Sequence, residues 1–197
     1  MRWITASLLV AAASPLYALG FYVKGGVPAG NFSYGTVSTV MGGIQQEVDS
    51  DDSGMLMGFF AEGGLSFAPA PFMMGLSFAY RFGEISGGSV TYTTVGLPLV
   101  FLLPVVVAEF HATFQPHYDI FKGKGDDALN GFGFLLSGEG YLDLGSVSLG
   151  GGLFFNYVPR LSYSTEVLGT EVKTEIKNST DVGIRLGVLF KTGILEY

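Results

Sequence analysis

The chain has 197 residues, no cysteine, 48% hydrophobic and 14% charged residues, and a formal net charge of −7. That length fits one domain, the charged fraction falls short of the roughly 25% usual in soluble proteins, and the acidic balance leaves no basic stripe for nucleic-acid phosphates. The lack of cysteine fits oxidising and reducing compartments alike.

Mean hydropathy is +0.43, yet no apolar run reaches the roughly 18 residues that a spanning helix needs. The longest, Val95–Ala108 (VGLPLVFLLPVVVA), carries Pro98 and Pro104, and each would remove a helix hydrogen bond. The apolar residues must therefore be spread over many short segments. Thirty glycines and 14% aromatics, without a collagen period, suit a tightly curved sheet better than a helical bundle.

The first element is a targeting segment. Arg2 gives a positive start, Ile4–Ala13 an apolar core, and Ala18-Leu19-Gly20 a small-x-small cleavage site. Residues 1–20 are predicted to be a cleaved signal peptide and 21–197 the mature domain, one charge more acidic without Arg2.

Beyond residue 20 the dominant period is two, which is a strand signature because a helix would smear both sets around its axis. Phe21–Gly30 sets Phe21, Val23 and Val27 against Tyr22 and Lys24, then ends in Pro28. Gly54–Phe67 sets Met55, Met57, Phe59, Leu65 and Phe67 against Gly58, Glu62, Gly64 and Ser66. Phe72–Gly83 sets Phe72, Met74, Leu76, Phe78, Tyr80 and Phe82 against Gly75, Ser77, Ala79 and Arg81. Val90–Phe101 is apolar on both faces near its end. Val105–Tyr118 sets Phe110, Ala112, Phe114 and Tyr118 against Glu109, His111, Thr113, Gln115 and His117. Gly131–Asp143 sets Phe132, Phe134, Leu136 and Leu142 against Ser137, Glu139 and Asp143. Val147–Val158 sets Leu149, Leu153, Phe155 and Tyr157 against Ser148, Gly150, Gly152 and Asn156. Asp181–Lys191 sets Val182, Ile184, Leu186, Val188 and Phe190 against Asp181, Arg185 and Lys191. That makes eight segments, each near the 9–11 residues or so of a tilted membrane strand.

The connections alternate as well. Residues 68–71, Leu102–Pro104 and Leu144–Ser146 are short links. Asn31–Ser53, Glu84–Ser89, Asp119–Asn130 and Pro159–Thr180 are longer and polar. Short turns on one rim and long loops on the other are the layout of a transmembrane barrel, with the long loops outside the cell. A soluble eight-stranded barrel would turn its bulky apolar face inward. Here the opposite faces are mostly Gly, Ser, Ala and single charges, which suit a narrow lumen, so the bulky face is assigned to lipid. Aromatic girdles agree: Phe21, Phe67, Phe72 and Phe101 below, and Tyr80, Phe82, Tyr118, Phe132 and Tyr157 above. The expected fold is all-β: an eight-stranded antiparallel up-and-down transmembrane β-barrel with short periplasmic turns and longer extracellular loops.

This pattern over Phe21–Tyr197 resembles the small outer-membrane β-barrels typified by OmpX, the OmpA transmembrane domain and OmpW. The resemblance is architectural and implies an outer-membrane location, contact with outer-membrane lipids and handling by the barrel-assembly machinery. It also makes Tyr197 look like the C-terminal assembly signal of such barrels, where Phe is more usual. Tyr197 and Phe190 differ in parity, so a bulge near Gly193 is expected.

The inward charges are Lys24, Glu62, Arg81, Glu109, His111, Glu139, Arg185 and Lys191. Unpaired charge in a narrow lumen would cost several kcal/mol, so a mixed-sign network is predicted. Glu109 and Glu139 are expected at matching heights, where one must meet a cation or take up a proton. Rows of small residues (Gly58, Gly64, Gly75, Gly150, Gly152) would leave room for water and keep a gated or passive small channel, for small solutes or hydrophobic compounds, as the alternative to a plugged scaffold. Glu109, His111 and His117 share a face, but no serine spacing suggests a nucleophile. A lipid-modifying enzyme is therefore the distant alternative, and no cofactor or metal is expected.

In the loops, QQEVDSDDSG holds Glu47, Asp49, Asp51 and Asp52, oxygen-rich but without EF-hand spacing, and is read as a solvated acidic loop. Pro159–Thr180 alternates Val167, Val172 and Ile176 with charges around Gly169. It is expected to extend the last hairpin above the membrane, offering an edge to extracellular ligands. The function that follows is a surface-interaction scaffold with a charge-plugged lumen.

Overall fold

The computed structural model describes residues 19–50, 52–67, 71–105, 108–123 and 127–192. The predicted leader core, Asp51, Gly193 and Tyr197 lie outside the described residues. Every regular element among them is a strand: β1 (Leu19–Ser33), β2 (Thr36–Met41), β3 (Ile44–Asp49), β4 (Ser53–Phe67), β5 (Phe72–Ile85), β6 (Gly88–Gly96), β7 (Leu99–Val105), β8 (Ala108–Lys122), β9 (Ala128–Asp143), β10 (Val147–Val167) and β11 (Thr170–Thr192).

All pairings are antiparallel, and the path β1-β4-β5-β6-β8-β9-β10-β11 returns to β1, with Phe21 opposite Thr192 and Ser33 opposite Thr180. A closed ring has no raw edge, which lets a sheet sit in hydrocarbon with every ladder group paired. β6 and β7 share one place in the wall, since both lie between β5 and β8. The ring is therefore eight strands around, as the alternation predicts.

Several boundaries differ from the sequence reading. The turn expected at Leu102–Pro104 comes later, since β7 runs on to Val105 and pairs there with Ala108 of β8, while the interruption at Leu97-Pro98, where β6 gives way to β7, falls within one place in the wall. Pro104 is tolerated because of where its missing N–H would point. Leu102 N donates to Pro71 O on the β5 side. Two residues on, the same alternation aims position 104 past the start of β5 at Phe72, beyond the last β5–β7 pair among the described residues. Likewise β1 does not stop at Pro28. Its β4 ladder lapses at Val27 and Pro28 and resumes at Ala29 opposite Met57.

The long connections shrink into strand. Glu84–Ser89 becomes a two-residue turn at Ser86-Gly87, both with positive φ. β8 continues to Lys122 and β9 begins at Ala128. Asn31–Ser53, expected to be an irregular loop, contains the β2–β3 hairpin, closed by Gly42-Gly43 at φ 57° and 81°. Such a turn needs left-handed backbone at both positions, which glycine supplies without strain. β2 also pairs with the upper part of β11, Val172 opposite Met41 and Lys177 opposite Thr36. Above the ring stands a four-stranded wall in the order β10-β11-β2-β3.

The wall faces follow the predicted parity. Leu76 is 66% and Leu153 67% exposed on the outside, and Phe21, Val23, Met55, Phe59, Phe110, Phe132, Val182 and Leu186 lie with them. Lys24, by contrast, is fully buried inside. A barrel that shows its bulky apolar side chains outward and buries its charges is inverted relative to a soluble protein, and only hydrocarbon makes that arrangement favourable. The girdles form contacts too: Phe72 lies 5.9 Å from Phe67 and 5.5 Å from Phe101 at the short-turn rim, and Tyr118 lies 5.0 Å from Phe132 towards the other.

One expectation about the interior is overturned. A Cβ on Gly58, Gly64, Gly75, Gly150 or Gly152 would run into the backbone of the adjacent strand. These glycines allow close strand approach on the inner surface of a tightly curved sheet, rather than leaving space for water.

Candidate functional site

The lumen is built in layers. At the short-turn end, Tyr22, Met73, Val100, Leu102, Tyr141 and Leu189 form a buried apolar cluster. At the long-loop end a larger one contains Phe32, Leu56, Ile85, Tyr92, Phe121, Leu161 and Ile176. Phe32 stacks on Phe121 with centroids 5.4 Å apart and tilts against Tyr92 at 5.2 Å. Between the two plugs lie the charges.

The lower charge layer centres on Lys24. Its Nζ lies 3.2 Å from Glu62 Oε2 and 3.3 Å from Glu139 Oε2. Tyr22 Oη donates to Glu62 Oε1 at 3.0 Å, Tyr141 Oη to Glu139 Oε2 at 2.6 Å, and Ser137 Oγ to Glu139 Oε1 at 2.8 Å. Arg185 Nη1 approaches Glu139 Oε1 at 3.7 Å, and its guanidinium lies over the Phe60 ring at 4.9 Å. Charges buried in this way are tolerable only when paired and hydrogen-bonded, and here each carboxylate has both kinds of partner.

Nearer the long-loop end, Arg81 pairs with Asp181 and lies over the Tyr92 ring at 4.7 Å. His117 lies 2.7 Å from Asp119 through Nε2, and Thr94 Oγ1 donates to Asp119 Oδ1 at 2.6 Å. Asn156 Nδ2 donates to Tyr92 Oη at 3.2 Å. At the short-turn mouth, Lys191 pairs with Glu109, and His111 Nε2 lies 3.2 Å from the same carboxylate.

All eight candidate lumen residues therefore face the interior and have partners, but in three groups rather than one. Glu109 and Glu139 are not level: Glu109 is opposite Tyr141, and Glu139 is opposite His111. Each has its own cations. Asp119, placed in a loop by the sequence reading, is a fully buried lumen residue on the end of β8. Its parity, shared with Glu109 through His117, was the signal that could have found it. Tyr22, Tyr92 and Tyr141, the donors and ring platforms of the network, carry the same inward parity.

Among the described residues, the acidic side chains outside the ring do not converge. Lys177 Nζ donates to Glu47 Oε1 at 2.6 Å, and Gln45 Nε2 donates to the same oxygen at 2.7 Å. Thr36 Oγ1 donates to Asp49 at 3.1 Å. Asp52 accepts from Ser50 Oγ at 2.6 Å, from Tyr34 Oη at 3.2 Å and from Ser86 Oγ. The hairpin expected to offer an edge has its β11 side covered by β2, its β10 side has no ladder partner beyond Ser162 among the described residues, and the far side of the wall ends in a second edge at β3.

Hydrogen bonds hold these outer carboxylates down: Lys177 lowers Glu47, the Ser50 hydroxyl lowers Asp52, and Lys173 lowers Glu175. A depressed carboxylate stabilises the folded wall above its unfolded pKa, and that support is lost as pH falls through the lowered folded value. The β2–β3 hairpin should therefore loosen below about pH 4, the ordinary carboxylate range. Hydrogen exchange, corrected for intrinsic rates, should rise across Thr36–Asp49 there and stay low in β8 and β9. Uniform protection at pH 3 would contradict it.

No family model matches the sequence, and no curated protein matches it. Among solved structures, the outer membrane protein OprG from Pseudomonas aeruginosa superposes with a TM-score of 0.61 at 11% identity, covering 90% of this chain and 98% of OprG. Neisserial surface protein A gives 0.53 at 11% identity, over 86% and 96% of the two chains. The outer membrane protein AlkL, determined in DMPC lipid bilayers, gives 0.51 at 11% identity, over 94% and 95%. Identity this low carries the architecture and nothing finer. The chain has the fold of the small eight-stranded outer-membrane barrels.

Proposed function

We propose that this chain is an integral outer-membrane protein, exported by a leader removed after Gly20, that serves as a surface scaffold for the outer wall rather than as a conduit. Its partners are the outer-membrane lipids, the barrel-assembly machinery that reads Tyr197, and extracellular ligands at the wall. The observation that supports this reading most is the doubly plugged lumen, with paired charges between an aromatic cap and an apolar floor. An eight-stranded bore is just wide enough for its own side chains. The glycines that argued for free bore instead abut neighbouring backbone.

Planar-bilayer recordings test it. Protein shown to be folded by its faster migration before boiling should leave bilayers silent. Discrete conductance steps from the same sample would establish a channel and sink the scaffold reading.

A further inference from the structure

The wall above the ring ends on one side at β3, and among the described residues no strand covers its outer edge. All six of its residues, Ile44 to Asp49, are exposed. Natural edges are usually blunted by proline, lysine, a bulge or extreme shortness. β3 has no proline and no lysine, and it pairs with β2 without a register shift. Its two acids are already engaged, Glu47 with Lys177 and Asp49 with Thr36.

The two-residue Gly42-Gly43 turn fixes which groups the edge offers. Across such a turn Met41 and Ile44 form the hydrogen-bonded pair, so Ile44, Gln46 and Val48 direct their amides and carbonyls to β2. Those of Gln45, Glu47 and Asp49 then face outward. A second strand must match that spacing, and for a two-fold pairing of β3 with itself only a few registers do so. Centring the axis on Glu47 sets two carboxylates opposite each other. Centring it on Gln45 leaves Ile44 opposite Gln46 and Val48 opposite Gly42. Centring it on Gln46 sets Ile44 opposite Val48 twice on one face and Gln45 opposite Glu47 twice on the other, with Gln46 opposite itself. Apolar meets apolar, amide meets carboxylate, and no like charges oppose.

We propose that β3 is a self-pairing edge, by which two copies of this chain join their outer walls into one continuous antiparallel sheet about a two-fold axis at Gln46. The interface is isologous, so it closes as a dimer and does not propagate into a fibre. Ile44, 77% exposed, and Val48, 54% exposed, lose that exposure to one another. The inference rests on the hairpin standing clear of the bilayer.

Because the chain has no cysteine, single substitutions report directly. Gln46→Cys in refolded, vesicle-inserted protein under mild oxidation should form a disulfide-linked dimer about tenfold or more faster than Thr39→Cys, since a bridge needs Cα atoms within about 7 Å. Thr39 lies on the same face one strand further in. Mixing Ile44→Cys with Val48→Cys protein should give a crosslinked pair that neither gives alone. Gln46→Lys, which sets two ammonium groups on the axis, should abolish energy transfer between labelled barrels. Clumping of vesicles would place the two copies in facing membranes, and crosslinking without clumping would place them in one; either supports the pairing. Each variant is first checked for faster migration before boiling, which fails only if the barrel itself is wrong. Folded Gln46→Cys that crosslinks no faster than Thr39→Cys overturns the proposal.

Discussion

Lys24→Met should cost the barrel about 3–5 kcal/mol, the range for removing one partner of a buried ion pair. The side chain is fully buried, and its ammonium bridges Glu62 and Glu139 at 3.2 and 3.3 Å. Without it, Glu62 keeps the Tyr22 hydroxyl alone among the described residues, while Glu139 keeps Ser137, Tyr141 and the more distant Arg185. The penalty comes from stranded negative charge, so it should be partly relieved in Lys24→Met/Glu62→Gln, where a neutral amide can still accept from Tyr22. Denaturant midpoints in lipid vesicles measure both. A single-variant loss under about 1 kcal/mol, typical of exposed pairs, would show that water screens the layer.

The second large effect contrasts two glycines on neighbouring strands. Gly152 faces the lumen, where a Cβ would run into the Gly138 carbonyl and the Glu139 Cα. Gly138 faces lipid with nothing within 4 Å of its own Cβ position. Gly152→Val should exceed the roughly 1–3 kcal/mol of ordinary overpacking, because the obstacle is backbone and cannot change rotamer. Much of that protein should fail to show the faster-migrating band. Gly138→Leu should be neutral or mildly stabilising, since its side chain would lie in an open, lipid-facing groove bounded by Phe101, Phe114, Leu136 and Leu153. Similar midpoints for the two variants would refute the close-approach explanation.

These contrasts show which physics a single sequence exposes. Parity alone separated Leu76, Phe110 and Ile184 from Glu62, His111 and Arg185, because side-chain direction in a strand follows from covalent geometry. Which carboxylate meets which cation was hidden, because that depends on stagger between strands far apart in the chain; Lys24 and Glu139 are 115 residues apart. Glycine misled for a related reason: a missing side chain reads as free space in one dimension, whereas the neighbouring backbone occupies it in three. The hairpin of β2 and β3 had a local signal, Gly-Gly between TVSTVM and IQQEVD, which the nearby acids obscured. Proline misplaced the β7–β8 turn, since Pro104 sits beyond the last β5–β7 pair among the described residues and still pairs with β8.

The β1–β11 seam unites the first and last described strands, Phe21 with Thr192. Such a join has nearly the largest sequence separation the polypeptide permits, so loop-closure entropy opposes it more than any other pairing. Until it forms, two rows of amides and carbonyls face acyl chains that offer them nothing. Insertion should thus behave as an all-or-none event, in which loss of either terminal strand yields no smaller ring but an unlatched ribbon.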